Sequence, residues 1–334
     1  MLTLCLTWAV VAAGPPGNLP SLGDDEQVMK TLHRFAVNQI GDTPIEVQSL
    51  YFRRFQPTEE DLAVLARFPR LHWVDIAPYK GGERPPRCLP DRVLRHVVAR
   101  KRLTRLYVHV PISPTGFDLL GEATQLEELD CPLLADAWDD RATYTQGLMK
   151  LSRLRRLRKL HCRLEYADDP AVDVLLRLPE LRELRIKDGD ELSATRYISL
   201  CHARNLEELH FMGVWGLSDK HLPSIGRMPA LRYLWIESSS IKGIELSHLR
   251  NLKHLESLRI DGPPLLPSAL PALAKAPRLT SLCLSHTELT DADIPHFAQL
   301  KNLTSLRVLN SKLTPDGLKR LRELLPRTKV NVDD

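Results

Sequence analysis

A phrase of the form L-x-x-L-x-L returns along this chain at nearly constant spacing, and that spacing constrains the fold more than any other feature. The clearest copies begin at Leu279 and Leu303, 24 residues apart. The fourth and sixth positions stay apolar in every copy, which predicts a strand with one buried face. The first positions of the twelve copies are Val47, Leu71, Leu103, Leu126, Leu157, Leu181, Leu206, Leu231, Leu255, Leu279, Leu303 and Arg327.

A second periodicity lies between the phrases. From Leu71 onward, apolar residues stand nine, six and three positions before each phrase, for example Leu62, Leu65 and Phe68, and the one exception is Arg100. Spacing by three is typical of the inner stripe of a short helix. Each unit is therefore predicted to be a strand, a turn and a helix, and a period in the twenties indicates an array of stacked units.

Two steps between phrases are longer than the rest, and we interpret them as insertions at 79–90 and 133–146. The first is rich in glycine and proline and must form a loop. Both leave the strand at its C-terminal end. Such loops are either tolerated additions or elements that grip a partner, and the sequence favours neither.

The N-terminal region precedes the repeats. Residues 1–13 form an apolar run with small residues at Val11 and Ala13, which predicts a signal peptide cut before Gly14; a misassigned start or a simple tail is the alternative. Residues 14–46 are expected to form a linker and a cap, with a helix from Asp24 followed by a strand, a turn and a second strand. A cap would cover the core of the first repeat, and the repeat array is predicted to span 47–334.

The run from Leu279 to Ile294, L-x-x-L-x-L-x-x-T-x-L-T-D-x-x-I, resembles the leucine-rich repeat family. Within it the units are similar to ribonuclease-inhibitor-like and cysteine-containing helical repeats, and also to secreted bacterial leucine-rich repeat proteins. The resemblance implies an α/β fold, a right-handed solenoid (horseshoe) of about twelve strands with a parallel concave sheet and convex helices. It also implies recognition of another macromolecule, whereas the fold itself does not fix a function.

Catalytic, metal and cofactor signatures are not found, so we predict no enzyme, no metal site and no cofactor. His161 and His210 are two strands apart, about 9–10 Å, and are expected to be hydrogen-bonded or pH-sensitive surface groups rather than metal ligands. Cys131 and Cys162 occupy the same inward position on consecutive strands. Two buried thiols are favoured over a disulfide, because neighbouring parallel strands suit disulfide geometry poorly.

The concave face is the predicted binding surface. Residues at the third, fifth and seventh positions of each phrase point away from the core, and the fifth-position column alone is about 50 Å long. Large, rigid side chains that also form hydrogen bonds are typical interface anchors. Scattered aromatic residues without a role are the alternative. The candidate binding residues are Trp73, Tyr107, His109, His161, Arg185, His210, Tyr233, Trp235 and Arg259.

A basic flank is the second candidate surface, although the formal net charge is only +4. It comprises two clusters that could attract an acidic partner, and a solvated face is the alternative. No specific nucleic acid and no transmembrane anchor are predicted. The members are Arg84, Arg87, Arg92, Arg95, Arg100, Lys101, Arg102 and Arg105, together with Lys150, Arg153, Arg155, Arg156, Arg158, Lys159 and Arg163.

The function expected from these features is that of a non-catalytic module that binds a protein or peptide on its concave face. The predicted location is secreted or periplasmic, in the cell envelope. The alternative is a cytoplasmic adaptor similar to the substrate receptors of ubiquitin ligases. The sequence shows no F-box-like helical segment before residue 47, which favours the first interpretation.

Overall fold

The structure is a computed structural model that describes most of the chain between residues 25 and 332. The described residues are 25–34, 36–37, 49–52, 57–77, 88–131, 141–163, 169–187, 199, 203–214, 216–237, 239–266 and 268–332. The predicted signal peptide and most of the predicted cap and of both insertions lie outside them. The chain divides into two units: unit one is Met1–Ala167 with Leu178–Glu180, and unit two is Asp168–Arg177 with Leu181–Asp334.

Unit one contains six strands among its described residues. They are β1 (Ala36–Val37), β2 (Ser49–Phe52), β3 (Trp73–Ile76), β4 (Arg105–Val108), β5 (Glu128–Cys131) and β6 (Lys159–Arg163). Strands β2 to β6 are parallel neighbours in chain order. β1 is antiparallel to β2, with Ala36 opposite Phe52. The strand that pairs with β1 is thus the strand of the first repeat itself, rather than a separate hairpin strand before it.

Unit two contains seven strands among its described residues. They are β7 (Glu183–Lys187), β8 (Glu208–Met212), β9 (Tyr233–Glu237), β10 (Ser257–Asp261), β11 (Ser281–Ser285), β12 (Ser305–Leu309) and β13 (Lys329–Val332). All are parallel neighbours, and equal repeat positions pair: Leu258 lies opposite Leu282. The twelve strands from β2 to β13 coincide with the twelve predicted phrases, which confirms the predicted strands and their register.

A helical segment precedes the strand in nearly every described repeat. In unit one the helices are Asp25–Leu32, Glu59–Ala63, Asp91–Val98, Pro114–Glu122 and Arg141–Lys150, with 3₁₀ turns at Val64–Arg67 and Leu151–Arg153. In unit two they are Asp169–Leu176, Leu222–Ile225, Ala269–Leu273, Ile294–Phe297 and Pro315–Leu324, with 3₁₀ turns at Asp219–His221, Leu246–Asn251 and Asp291–Asp293. The helix at Arg141–Lys150 begins inside the predicted insertion 133–146, so the end of that insertion is helical.

The core lies between the strands and these helices. Inward strand residues and the helix stripe are almost completely buried, as at Leu62, Leu65 and Phe68. Burial of each such side chain stabilises the fold by about 1.5–3 kcal/mol. The exception in the stripe, Arg100, is half-buried, and its guanidinium donates hydrogen bonds to the carbonyls of Leu65 and His96. Burial lowers the pKa of Arg100. An arginine thus replaces an apolar residue here because it satisfies backbone carbonyls.

The residues Leu289, Thr290 and Asp291, which follow β11, have a structural role. The backbone N–H of Thr290 donates to Asp293 Oδ2 at 2.8 Å, which satisfies a donor at the start of a helical turn. Asp291 accepts hydrogen bonds from the backbone N–H and hydroxyl of Thr314 in the next repeat. Asp219, three repeats earlier, has the same role and accepts from the backbone N–H groups of three residues of the next repeat. These aspartates tie consecutive repeats together.

Candidate binding surface

The concave face is formed by the third, fifth and seventh residues of each phrase, which alternate with the buried positions along the strands. In β3, Trp73 and Asp75 are half-buried while Val74 and Ile76 are buried. The pleat produces this alternation because successive side chains point to opposite faces. In-register pairing then brings equal positions of neighbouring strands side by side, such as Asp75 and Tyr107.

Aromatic and imidazole groups form a connected set on the concave face of unit one. Trp73 and Tyr107 are edge to face, with ring centroids 5.7 Å apart, and Tyr107 and His109 are 6.4 Å apart. The guanidinium carbon of Arg105 lies 5.2 Å from the centre of the Trp73 ring, within the range of a cation–π contact. Strands β3 and β4 therefore carry a continuous aromatic surface.

Carboxylates lie between these rings. Tyr107 donates a hydrogen bond to Glu128 at 3.1 Å, and His161 Nδ1 is 2.9 Å from Asp130 Oδ2. Asp75 Oδ1 and Asp130 Oδ1 are buried and accept no hydrogen bond from a described residue. Burial, with the charge of Asp130 adding to it, raises the pKa of Asp75 to about 7. Burial also raises the pKa of Tyr107 to about 12. Unit one therefore holds carboxylate charge that its described residues neutralise only in part.

A second set lies on the concave face of unit two, around Trp235. The guanidinium carbon of Arg259 is 4.4 Å from the centre of the Trp235 ring, and the His210 ring is 5.3 Å away on the neighbouring strand. The indole Nε1 of Trp235 and the Nε of Arg259 are buried and donate to no described residue. Tyr233 is exposed, with Arg232 5.8 Å above its ring. This set presents a flat aromatic ring bordered by a cation.

The nine candidate residues lie on the predicted face but are not equally accessible. Tyr233 is exposed, His210 is buried, and the other seven are half-buried. The expectation that His210 is a surface group is wrong, because the Trp235 ring packs against it and only 9 % of it is exposed. His161 pairs with Asp130 instead of standing free. The structure therefore brings the candidates together as one set in each unit.

The one group in the described part of the chain with metal-ligand composition is Glu183, Glu208 and His210, whose ligand atoms lie within 4.8 Å of one another. Sequence reasoning missed it, although Glu183 and Glu208 hold the same position on neighbouring strands. Arg185 Nε donates to Glu183 at 2.6 Å. A guanidinium at that distance neutralises the carboxylate, so the group orients Arg185 on the concave face.

A cleft of about 670 Å³ lies at the C-terminal ends of β9 to β11, and sequence reasoning missed it too. Asp261 and His286 line one end of it, and Ser285 lies behind them: Asp261 Oδ1 and Ser285 Oγ are 2.8 and 3.1 Å from His286 Nδ1. Both approach the same ring nitrogen. A catalytic relay needs the hydroxyl and the carboxylate on opposite nitrogens. This cluster therefore does not have the geometry of an activated serine.

The basic flank is partly used inside the fold. Arg92 donates to the carbonyl of Pro57 and Arg100 to two carbonyls, whereas Arg84 and Arg87 lie outside the described residues. A compact part of it is exposed and makes no ion pair with any described residue: Arg153, Arg155, Arg156 and Arg158, in the turn before β6. These four arginines are the strongest positive feature of unit one, and we call them the arginine turn.

The cysteines agree with a buried role. Cys131 and Cys162 lie opposite each other on β5 and β6, and both are fully buried free thiols. Burial raises the pKa of Cys131 well above its usual range and that of Cys162 to about 12. Thiols of this kind are poor nucleophiles because the thiolate is the reactive form.

Comparison with known proteins gives the fold. No family model and no curated protein matches the chain. Its structure is similar to TLR13 in a complex with ssRNA13, with a TM-score of 0.56 and 20% identity over 86% of this chain and 43% of that chain. It is also similar to an internalin, InlF of Listeria monocytogenes (0.48, 15% identity, 86% of both chains), and to the Leptospira interrogans protein LIC12759 (0.36, 13%, 80% and 86%).

The strand–turn–helix units, their register and the similarity to TLR13 define a protein with the leucine-rich repeat fold, as the sequence predicted. The chain spans less than half the length of the TLR13 chain that it matches. Within the part of the chain that the structure describes, every helix is too short or too polar to cross a membrane.

Proposed function

We propose that this chain is a non-catalytic module that binds a protein or peptide on its concave face. The observation that carries the proposal is the Trp235 set of unit two. There an indole and a guanidinium are stacked, both retain unused donors, and exposed Tyr233 lies beside them. Trp, Tyr and Arg in partly desolvated positions are the residues that most often dominate interface energies. A backbone carbonyl of a bound peptide would accept from the free donors.

The proposal is tested by selection from a random dodecapeptide phage library on the purified protein. The selected peptides are synthesised, and their affinities are measured for Trp235→Ala and Arg185→Ala. We expect each variant to lose about 30-fold in affinity, since anchor residues contribute about 2 kcal/mol or more. Arg227→Ala is the matched control, because Arg227 is exposed in a turn before β9 and lies off the concave face.

Two controls separate the loss of a contact from the loss of the fold. Near-UV circular dichroism and thermal melting show whether each variant keeps its fold, and Arg259→Gln perturbs the same set while leaving the Trp235 ring in place. Selected peptides that bind both Trp235→Ala and Arg185→Ala with wild-type affinity would refute the use of this face. A library that yields no binders would refute peptide binding itself.

The arginine turn supports a narrower proposal, that an acidic segment of the partner lies against unit one. Four exposed guanidinium groups within six residues, without ion pairs to described residues, attract anions most strongly at low salt. Heparin is a suitable polyanion. Arg155→Gln with Arg156→Gln should elute from immobilised heparin at a clearly lower salt concentration than Arg227→Gln with Arg250→Gln, which removes equal charge from unit two. If the two double variants elute at the same salt concentration, the arginine turn is only a solvated surface and the narrower proposal is wrong.

Export to the cell envelope or beyond is proposed on the apolar run at residues 1–13 alone. Expression of the full sequence in its own host, with intact-mass analysis of cell and culture fractions, tests it. An exported chain that begins at Gly14 is the expected product. An uncleaved chain inside the cell would favour the adaptor alternative.

A further inference from the structure

The concave face of unit one carries buried polar atoms that the described protein leaves without partners. Asp75 Oδ1 and Asp130 Oδ1 are acceptors, and Trp73 Nε1 is a donor. A buried polar atom without a hydrogen bond costs about 1–3 kcal/mol, and more when it carries charge. His161 Nε2 on β6 is a further buried ring nitrogen without a hydrogen bond. The two carboxylate acceptors beside the Trp73 donor favour a ligand that supplies donors and an acceptor in return.

The cations already present do not fill this role. The guanidinium of Arg105 lies over Trp73 and is 2.8 Å from His72 Nε2, and it forms no ion pair with Asp75 or Asp130. His161 is paired with the other oxygen of Asp130, and His109 Nε2 is 3.8 Å from Asp75 Oδ1, beyond hydrogen-bond distance. The carboxylates thus stay only partly neutralised within the described chain.

The walls of this region suit a flat or extended cation. Tyr107 lies in register between Asp75 and Asp130, whose strands are about 10 Å apart. The hydroxyl of Tyr107 donates a hydrogen bond to Glu128, which orients the ring. The Trp73 ring contacts the Tyr107 ring edge to face. A guanidinium presents five donors in one plane and stacks on aromatic rings, and an ammonium does neither. A metal ion is a poorer fit, because carboxylates two strands apart do not converge on one ion.

We propose that the concave face of unit one receives a cationic side chain of the bound peptide, in the first place an arginine, over Tyr107 and between Asp75 and Asp130. The Trp73 indole then donates to a backbone carbonyl of the same peptide. This inference rests on the proposed peptide binding, whose test uses residues of unit two. It adds the chemical class of one side chain of the partner.

Acetylated tetra-arginine amide is the probe, and acetylated tetracitrulline amide is its neutral control of the same shape. Affinities are measured by calorimetry at pH 8 with wild type, Asp75→Asn and Asp130→Asn. Each of these variants should bind tetra-arginine at least tenfold more weakly. Glu122→Gln, which removes one exposed carboxylate from a helix of the same unit, should stay within twofold of wild type.

The affinity for tetra-arginine is also measured as a function of pH. This tests whether Asp75 must be ionised for the peptide to bind. The groups facing Asp75 are Tyr51 on β2, Arg105, Tyr107 and His109 on β4, and Glu128 and Asp130 on β5. Because the raised pKa of Asp75 lies near 7, affinity should increase about tenfold from pH 6 to pH 8 as Asp75 ionises. Asp75→Asn should lose most of that increase, and what remains reports the imidazoles.

The outcomes separate this inference from the function on which it rests. Equal binding of tetra-arginine and tetracitrulline, or equal weakening by Asp75→Asn and Glu122→Gln, would overturn the cation site. If the dodecapeptides still depend on Trp235 in that case, peptide binding stands and only the cation site fails. Loss of both would overturn both proposals.

Discussion

Asp75 offers the sharpest test of the electrostatics described above, through the pH dependence of stability. Burial, with the nearby charge of Asp130, raises its pKa in the folded protein to about 7, whereas the pKa of an aspartate exposed to water is 3.8. The folded state therefore binds this proton more tightly than the unfolded chain does. The stability that the protonated group provides is present at low pH and is lost as the pH rises toward 7. Asp75→Asn removes the titration and should remove that loss.

The size of the effect follows from the two pKa values. One pKa unit corresponds to about 1.36 kcal/mol, and integration between pH 5 and pH 8 gives about 2.6 kcal/mol for a full shift to 7. The Asp75 side chain keeps 17% of its surface exposed, so we expect about 2 kcal/mol. Urea unfolding at both pH values, followed by tryptophan fluorescence, measures it. Wild type should lose about 2 kcal/mol more than Asp75→Asn between pH 5 and pH 8, and Glu122→Gln should follow wild type. Equal losses in wild type and Asp75→Asn would refute the burial of an uncompensated carboxylate.

Three further outcomes are expected. Phe211→Ala should lower the free energy of unfolding by about 3–5 kcal/mol in urea, because the ring is fully buried in β8 and leaves a cavity; a loss below 1 kcal/mol would contradict the core. Asp219→Ala should lower it by about 1–2 kcal/mol, since three backbone N–H groups lose their acceptor, and Lys220→Ala in the same turn is the control. Iodoacetamide at pH 8 should label half-buried Cys88 in the native protein well before Cys131, as peptide mass mapping would show; equal labelling rates would contradict the burial of Cys131.

The repeat pattern predicted the strands almost residue by residue, and the reason is physical. A side chain that slips by one position in a strand moves to the other face, so the buried leucines specify the register strictly. Leu258 opposite Leu282, and Ile260 opposite Leu284, follow from a spacing of 24 residues alone. The turn residues were less informative: Thr290 and Asp291 belong to the phrase that resembles the family, but the phrase does not show that Asp291 also binds the next repeat.

The burial of the outward side chains was much harder to predict, because it depends on neighbours across strands and on rotamers. Glu183 and His210 occupy outward positions yet are buried, at 5% and 9% exposure, since large neighbours cover them. The sequence placed Asp75 and Asp130 at outward fifth positions but did not show that they are buried. Their importance appears only when β3, β4 and β5 are aligned, which brings the two buried carboxylate oxygens onto one face. The helix type also escaped prediction, as at the 3₁₀ segment Leu246–Asn251, because a spacing of three suits both kinds of helix.

The two units treat their charges differently at one repeat position, the residue just after the first leucine. In unit two this position forms an alternating ladder: Arg232 lies between Glu207 and Glu256, with its NH1 3.6 Å and its NH2 2.9 Å from their carboxylates. Each guanidinium there is neutralised within the unit. In unit one the same position of the sixth strand is Arg158, which is exposed and has no ion pair with a described residue. At this position the charged groups of unit two are therefore paired with one another. Unit one, in contrast, offers a partner both exposed guanidinium groups and buried carboxylates. Binding to the arginine turn of unit one should therefore weaken with added salt, whereas binding to the Trp235 set of unit two should depend little on salt, because screening acts on exposed charges and barely on buried apolar contacts.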